Sequence, residues 1–124
     1  MGLLIQSFKN LFSRAPHDHY TATLPLKVLQ NFYMEHDHLV ELTLNELSIP
    51  FLSYIQRYSN NQYEYYDEVH KSGARFMENI ASYFSTLLTS LSQSLDKEIL
   101  NNNNEKCLEI INLIEFTFKL EASI

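Results

Sequence analysis

An all-α fold, an antiparallel bundle of four to five helices, is what this chain predicts. Three observations lead there. Apolar residues recur at three- and four-residue steps through most of the sequence, the spacing of helices that bury one side. Two glycines and three prolines in 124 residues are too few for the tight turns of a sheet protein. The hydrophobic share of 45% and aromatic share of 13% suffice for one core, so residues 1–124 read as a single domain.

The elements follow in order. Leu3, Leu4, Phe8, Leu11 and Phe12 stripe an amphipathic N-terminal helix over residues 1–13, which docks on the core or, with Lys9 and Arg14, lies peripherally on a membrane surface. Residues 14–23 are polar and aperiodic, with Pro16 among them, and predict a loop. The bundle core occupies residues 24–124. Pro25 suits the first turn of a helix capped by Thr23, and Val28, Leu29, Phe32, His36, Leu39, Val40, Thr43 and Leu47 carry that helix toward Ser48. Pro50 either kinks it or opens a new one bearing Phe51, Leu52, Tyr54, Ile55 and Tyr58. Ser59, Asn60 and Asn61 predict a turn.

The longest stripe comes next. Tyr66, Val69, Gly73, Phe76, Met77, Ile80, Phe84, Leu87, Leu88, Leu91 and Leu95 predict one helix from about Gln62 to about Leu100, with Gly73 marking the close approach of a neighbour. Asn101 to Asn104 form a second polar turn, and Asn102 with Glu105 has capping-box spacing. In the last helix Cys107, Leu108, Ile110, Ile111, Leu113, Ile114, Phe116, Phe118 and Leu120 wrap most of the circumference. Such a helix is central in the bundle or buried against another chain, which makes a homodimer an expectation.

Charge and cysteine content narrow the function classes. A formal charge of −6 with nine scattered Lys and Arg argues against nucleic-acid binding, which needs clustered cations. Cys107 stands alone within an apolar run, so no disulfide framework is expected and a cytoplasmic setting is the simplest. No serine sits on a strand-to-helix elbow, and no phosphate-binding glycine loop occurs. The chain reads as no enzyme, with no cofactor.

Three constellations remain. His17-Asp18-His19 and His36-Asp37-His38 repeat one tripeptide, and Glu35 with His38 and Asp67 with His70 place acid and imidazole three apart on a helix face. Two such pairs projecting inward form a candidate metal site. Tyr54, Tyr58, Tyr63, Tyr65 and Tyr66 cluster about the Ser59-Asn60-Asn61 turn among Glu64, Asp67 and Glu68, a candidate partner-binding patch, because tyrosine supplies contact area at low entropic cost. The third is the string His70-Lys71-Ser72-Gly73-Ala74. Helix, short turn, histidine-bearing helix, polar turn and closing helix over residues 26–124 resemble histidine phosphotransfer domains. The resemblance implies a four-helix bundle with His70 as phosphoacceptor; that family places its lysine three and its glycine four positions after the histidine, whereas here they follow by one and three. The leading expectation is a small acidic helical protein acting on a protein partner as adaptor, regulator or inhibitor. Phosphorelay through His70 and metal binding through Glu35, His38, Asp67 and His70 are the alternatives.

Overall fold

The computed structural model describes residues 2–124, and these form six α-helices: α1 (Gly2–Ser13), α2 (His19–Glu35), α3 (Val40–Tyr58), α4 (Tyr66–Asn79), α5 (Phe84–Leu100) and α6 (Asn104–Glu121). The described residues contain no strand. The all-α expectation holds, with six helices in place of four to five. Two breaks make the difference. The chain leaves α2 at His36 into a 3-10 turn over Asp37–Leu39, and leaves α4 at Ile80 into a second over Ala81–Tyr83. Neither break carries glycine or proline. A single helix over residues 62–100 would be about 60 Å long, well beyond the ~35 Å diameter of a domain this size. Turning lets Val40 and Ile80, each 2% exposed, enter the core instead.

The start of α2 also departs from expectation. Thr21 N–H donates to Asp18 Oδ1 at 2.7 Å while Thr21 Oγ1 accepts from Asp18 N–H at 3.2 Å, a reciprocal capping box. Asp18 rather than Thr23 is therefore the cap, and residues 19–23 are helical rather than loop. Pro25 and Pro50 both lie inside helices that continue through them. Each deprives the carbonyl four residues earlier, Thr21 and Glu46, of its usual donor.

Side-chain pairings give the layout. Ala22 with Tyr54 and Tyr33 with Thr43 run α2 antiparallel to α3, and Ile55 beside Gly73 and Phe51 beside Phe76 run α3 antiparallel to α4. His19 with Glu68 and Tyr33 with Phe76 lay α2 parallel to α4, while Asn45 with Ser90 begins a flank along which α3 and α5 pack. The two breaks thus sit at one end, where the Tyr83 hydroxyl donates to the Asp37 carbonyl at 3.4 Å. α6 closes the bundle against α5, α3 and α4. Leu26, Leu29, Leu44, Leu47, Phe51, Leu52, Ile55, Phe76, Met77, Leu87 and Leu91 fill the middle.

Phe8 and Phe12 seat α1 on this core, with Phe12 edge-on to Tyr54 at 5.5 Å between ring centroids and Lys9 Nζ 3.0 Å from Glu46 Oε2. The apolar side that a membrane-lying helix would need is thereby occupied, leaving Leu3 outward. Among the described residues no helix is long and apolar enough to cross a membrane. Buried hydroxyls are paired: Ser48 with Ser90 at 3.0 Å, Tyr33 with Thr43 at 2.7 Å, and Tyr54 donating to the Ala22 carbonyl at 2.7 Å. Such pairing offsets the desolvation of each group.

Candidate interaction surface

Four of the five tyrosines, Tyr54, Tyr58, Tyr63 and Tyr65, gather around the turn between α3 and α4 as an aromatic stack, and Tyr66 stands outside it. Tyr54 and Tyr58 lie 4.8 Å apart between centroids, Tyr58 and Tyr63 5.2 Å, and Tyr63 and Tyr65 5.5 Å with nearly parallel rings. Tyr54, Tyr58 and Tyr65 are buried, Tyr63 is half-buried, and Tyr66 is exposed. Their contact area serves mainly the core, while the Tyr65 hydroxyl donates to the Pro16 carbonyl of the loop between α1 and α2 at 3.4 Å. Burial, with Tyr58 and Tyr65 close by, raises the Tyr54 phenol well above its ordinary range. Burial likewise pushes Tyr33 up to about 12, against the opposing pull of its bond with Thr43. Both hydroxyls stay neutral at physiological pH, Tyr54 as the donor to the Ala22 carbonyl and Tyr33 as the hydroxyl partner of Thr43.

The four metal candidates do not converge. Glu35 and His38 stand exposed at the end of the bundle that holds the breaks, whereas Asp67 and His70 lie in the first turns of α4, nearer the opposite end. Ten residues of helix from His70 to Ile80 separate the two levels by about 15 Å. Asp67 is instead paired with Lys71 at 2.9 Å. Among the described residues no three His, Cys, Asp or Glu side chains assemble in a metal-holding group. The tripeptides divide as well: Asp18 caps α2, His19 Nδ1 lies 3.1 Å from Glu68 Oε1, and His36 packs on Phe32. His70 is half-buried in a shallow cleft that the chain end borders with Ser123 and Ile124, and the ion pair with Asp67 holds Lys71 along the exposed side of α4.

What the molecule does present is the outer side of α6. Ile110, Leu113, Thr117 and Leu120 turn inward, while Leu108, Ile111 and Phe118 are 60%, 49% and 51% exposed. At about 100° per residue, positions 108, 111, 115 and 118 fall within an arc of about 80°, opposite the core-facing set. Phe118 leans on Phe84 with centroids 5.9 Å apart, which fixes the ring without covering it. Ile99 and Leu100, 55% and 82% exposed, extend the surface at the turn into α6. The wrap of apolar positions around this helix is legible in the sequence, whereas Ile99 and Leu100 lie past Leu95, at the end of the predicted helix, where spacing does not tell a buried position from an exposed one.

A polar groove of roughly 610 Å³ lies beside this face, between α3, α5 and α6. Arg57, Lys97 and Lys106 line it together with Glu98 and Glu109, over a floor of Ile49, Ile110 and Leu113. Opposite charges there nearly balance. No protein-family model, curated protein or solved structure matches this chain.

Proposed function

We propose that this protein works by contact with another protein, as an adaptor, regulator or inhibitor, and that the outer face of α6 is the surface its partner meets. The observation that supports this reading is the grouping of Leu108, Ile111 and Phe118 on one exposed arc of α6, with Ile99 and Leu100 exposed at the end of α5 that leads into it. Apolar area left in water forgoes about 25 cal/mol per Å², and contiguous exposed patches mark association sites. The mechanism is surface complementarity, with no bond made or broken. Binding energy would centre on Phe118 and Ile111, rigid side chains standing on a helix that the core already holds.

The test is capture from a lysate of the source cells on immobilised protein. The same species should be retained by the wild type and by a Leu3→Asp control, and lost with Ile111→Asp. Equal retention by the Ile111→Asp variant would refute the assignment of this face.

A further inference from the structure

We infer that the partner seated on the α6 face is a second copy of this chain, an inference that rests on the interaction reading above and names its occupant. The evidence is the spacing of the patch along the chain. From the midpoint between Leu108 and Ile111, Phe118 lies about 13 Å toward the C-terminus, at 1.5 Å of rise per residue. In the other direction the start of α6 lies about 8 Å away, and the short turn over residues 101–103 sets Leu100 roughly as far off as Phe118. A twofold axis through that midpoint therefore crosses two antiparallel α6 helices so that Leu108 of one copy meets Ile111 of the other. The same rotation carries each Phe118 to the Leu100 and Ile99 of the opposite copy. The patch is complementary to itself, as an isologous interface requires.

Charge does not oppose this register. Glu115, the one acid within the apolar arc and already neutralised by Lys119 of its own helix at 3.0 Å, comes to lie beside Asn104 of the second copy. Asn104 opens α6, where the positive end of the helix dipole favours a carboxylate. The five exposed side chains offer on the order of 500 Å² per copy, close to two-thirds of the ~800 Å² per partner of a standard interface, leaving the remainder to a polar rim. Side chains along the rim include Glu105, Asn112 and Lys119, all exposed.

Sedimentation equilibrium on the purified full chain, across a concentration series, should give twice the 14.6 kDa chain mass. Ile111→Asp and, separately, Leu108→Asp should return it to the single mass with unchanged helical circular dichroism, while Leu3→Asp should stay paired. Both α6 sites are about half exposed or more, so neither change threatens the fold. The register is tested by mixing Phe118→Cys with Leu100→Cys, each carrying Cys107→Ser. Mild oxidation should link the two kinds of chain to one another more than either to itself. A single-chain mass at every concentration, or a pair that survives both α6 substitutions, would overturn the inference. A single-chain mass accompanied by lysate capture through the same face would remove the second copy and leave the interaction reading standing; loss of capture alone would remove only that reading's separate partner.

Discussion

Replacing Gly73 by alanine tests the place where two helices come closest. A Cβ at that position would stand 2.8 Å from Ile55 Cγ2, 3.2 Å from Cδ1 and 3.3 Å from Cγ1. Carbon atoms in favourable contact sit about 3.5–4.0 Å apart, so all three distances are too short. Ile55 is fully buried and β-branched, so it has little freedom to swing aside. α3 and α4 must separate instead. Overpacking of this kind costs about 1–3 kcal/mol, against a gain of about 1 kcal/mol for alanine over glycine within a helix. The net expectation for Gly73→Ala is destabilisation of about 1 kcal/mol, which lowers Tm by about 4 °C in a domain of this length. Ile55→Ala alone should cost about 2–5 kcal/mol. In that background the clash has gone and the helix preference remains, so adding Gly73→Ala should now stabilise by about 1 kcal/mol. Urea unfolding followed by circular dichroism on the four proteins closes the cycle. An alanine that stabilises both backgrounds equally would refute the close approach of α3 and α4.

Further outcomes follow from single contacts. Tyr54→Phe should cost about 1–2 kcal/mol through the lost bond to the Ala22 carbonyl, and denaturant titration against Phe12→Leu would separate this from packing. Because the folded chain holds the Tyr33 phenol at about 12, above its ordinary value of 10.0, its contribution is complete below pH 10 and is lost as pH rises toward 12; Tyr54, also raised, acts in the same direction. Stability should therefore fall across that alkaline window, and the fall should flatten in the Tyr33→Phe and Tyr54→Phe double variant. Asp18→Ala should lower Tm and remove an acid-side contribution, since the Thr21 backbone and hydroxyl bonds hold the Asp18 carboxyl below its ordinary range and that benefit disappears as pH falls through it. Ser48→Ala should cost about 1 kcal/mol through the lost bond to Ser90, whose hydroxyl keeps the Asn45 carbonyl, and Ser48→Ala with Ser90→Ala less than the sum of the two single changes.

The helices were legible where hydrophobic spacing had no competitor. The α3 and α6 stripes, the turn at Ser59-Asn60-Asn61 and the reason for Gly73 all follow from residue types that act locally. The breaks at His36 and Ile80 were not legible, because no glycine or proline marks them and the stripe runs through each without losing phase. What turns the chain there is the size of the domain and the burial of Val40 and Ile80, which are tertiary causes. The cap on α2 was missed because Thr21 takes the place that glutamate or glutamine holds in the usual capping box. For the site, spacing alone grouped Glu35 with His38 and Asp67 with His70, but only the parallel course of α2 and α4 determines that the two pairs stand at different levels. Of the tyrosines grouped about the turn, Tyr54, Tyr58, Tyr63 and Tyr65 stack on one another and Tyr66 does not, and the count of rings could not tell which of them the core would keep. Of the exposed patch, Leu108, Ile111 and Phe118 are among the nine apolar positions that wrap α6, and spacing alone does not tell which of the nine stay outside.

α6 keeps Ile110, Leu113, Thr117 and Leu120 in the core and leaves Leu108, Ile111 and Phe118 in solvent. Thiol labelling of Ile111→Cys and Thr117→Cys, each with Cys107→Ser, tests this division, since the two sites lie on one helix yet are 49% and 0% exposed. In dilute solution Ile111→Cys should react freely and Thr117→Cys at least about a hundredfold more slowly, because its thiol must wait for the bundle to open. Where the outer side meets a second copy, raising the protein concentration should slow the Ile111→Cys variant alone. Equal rates at the two positions, or faster labelling at Thr117→Cys, would refute this division of the helix.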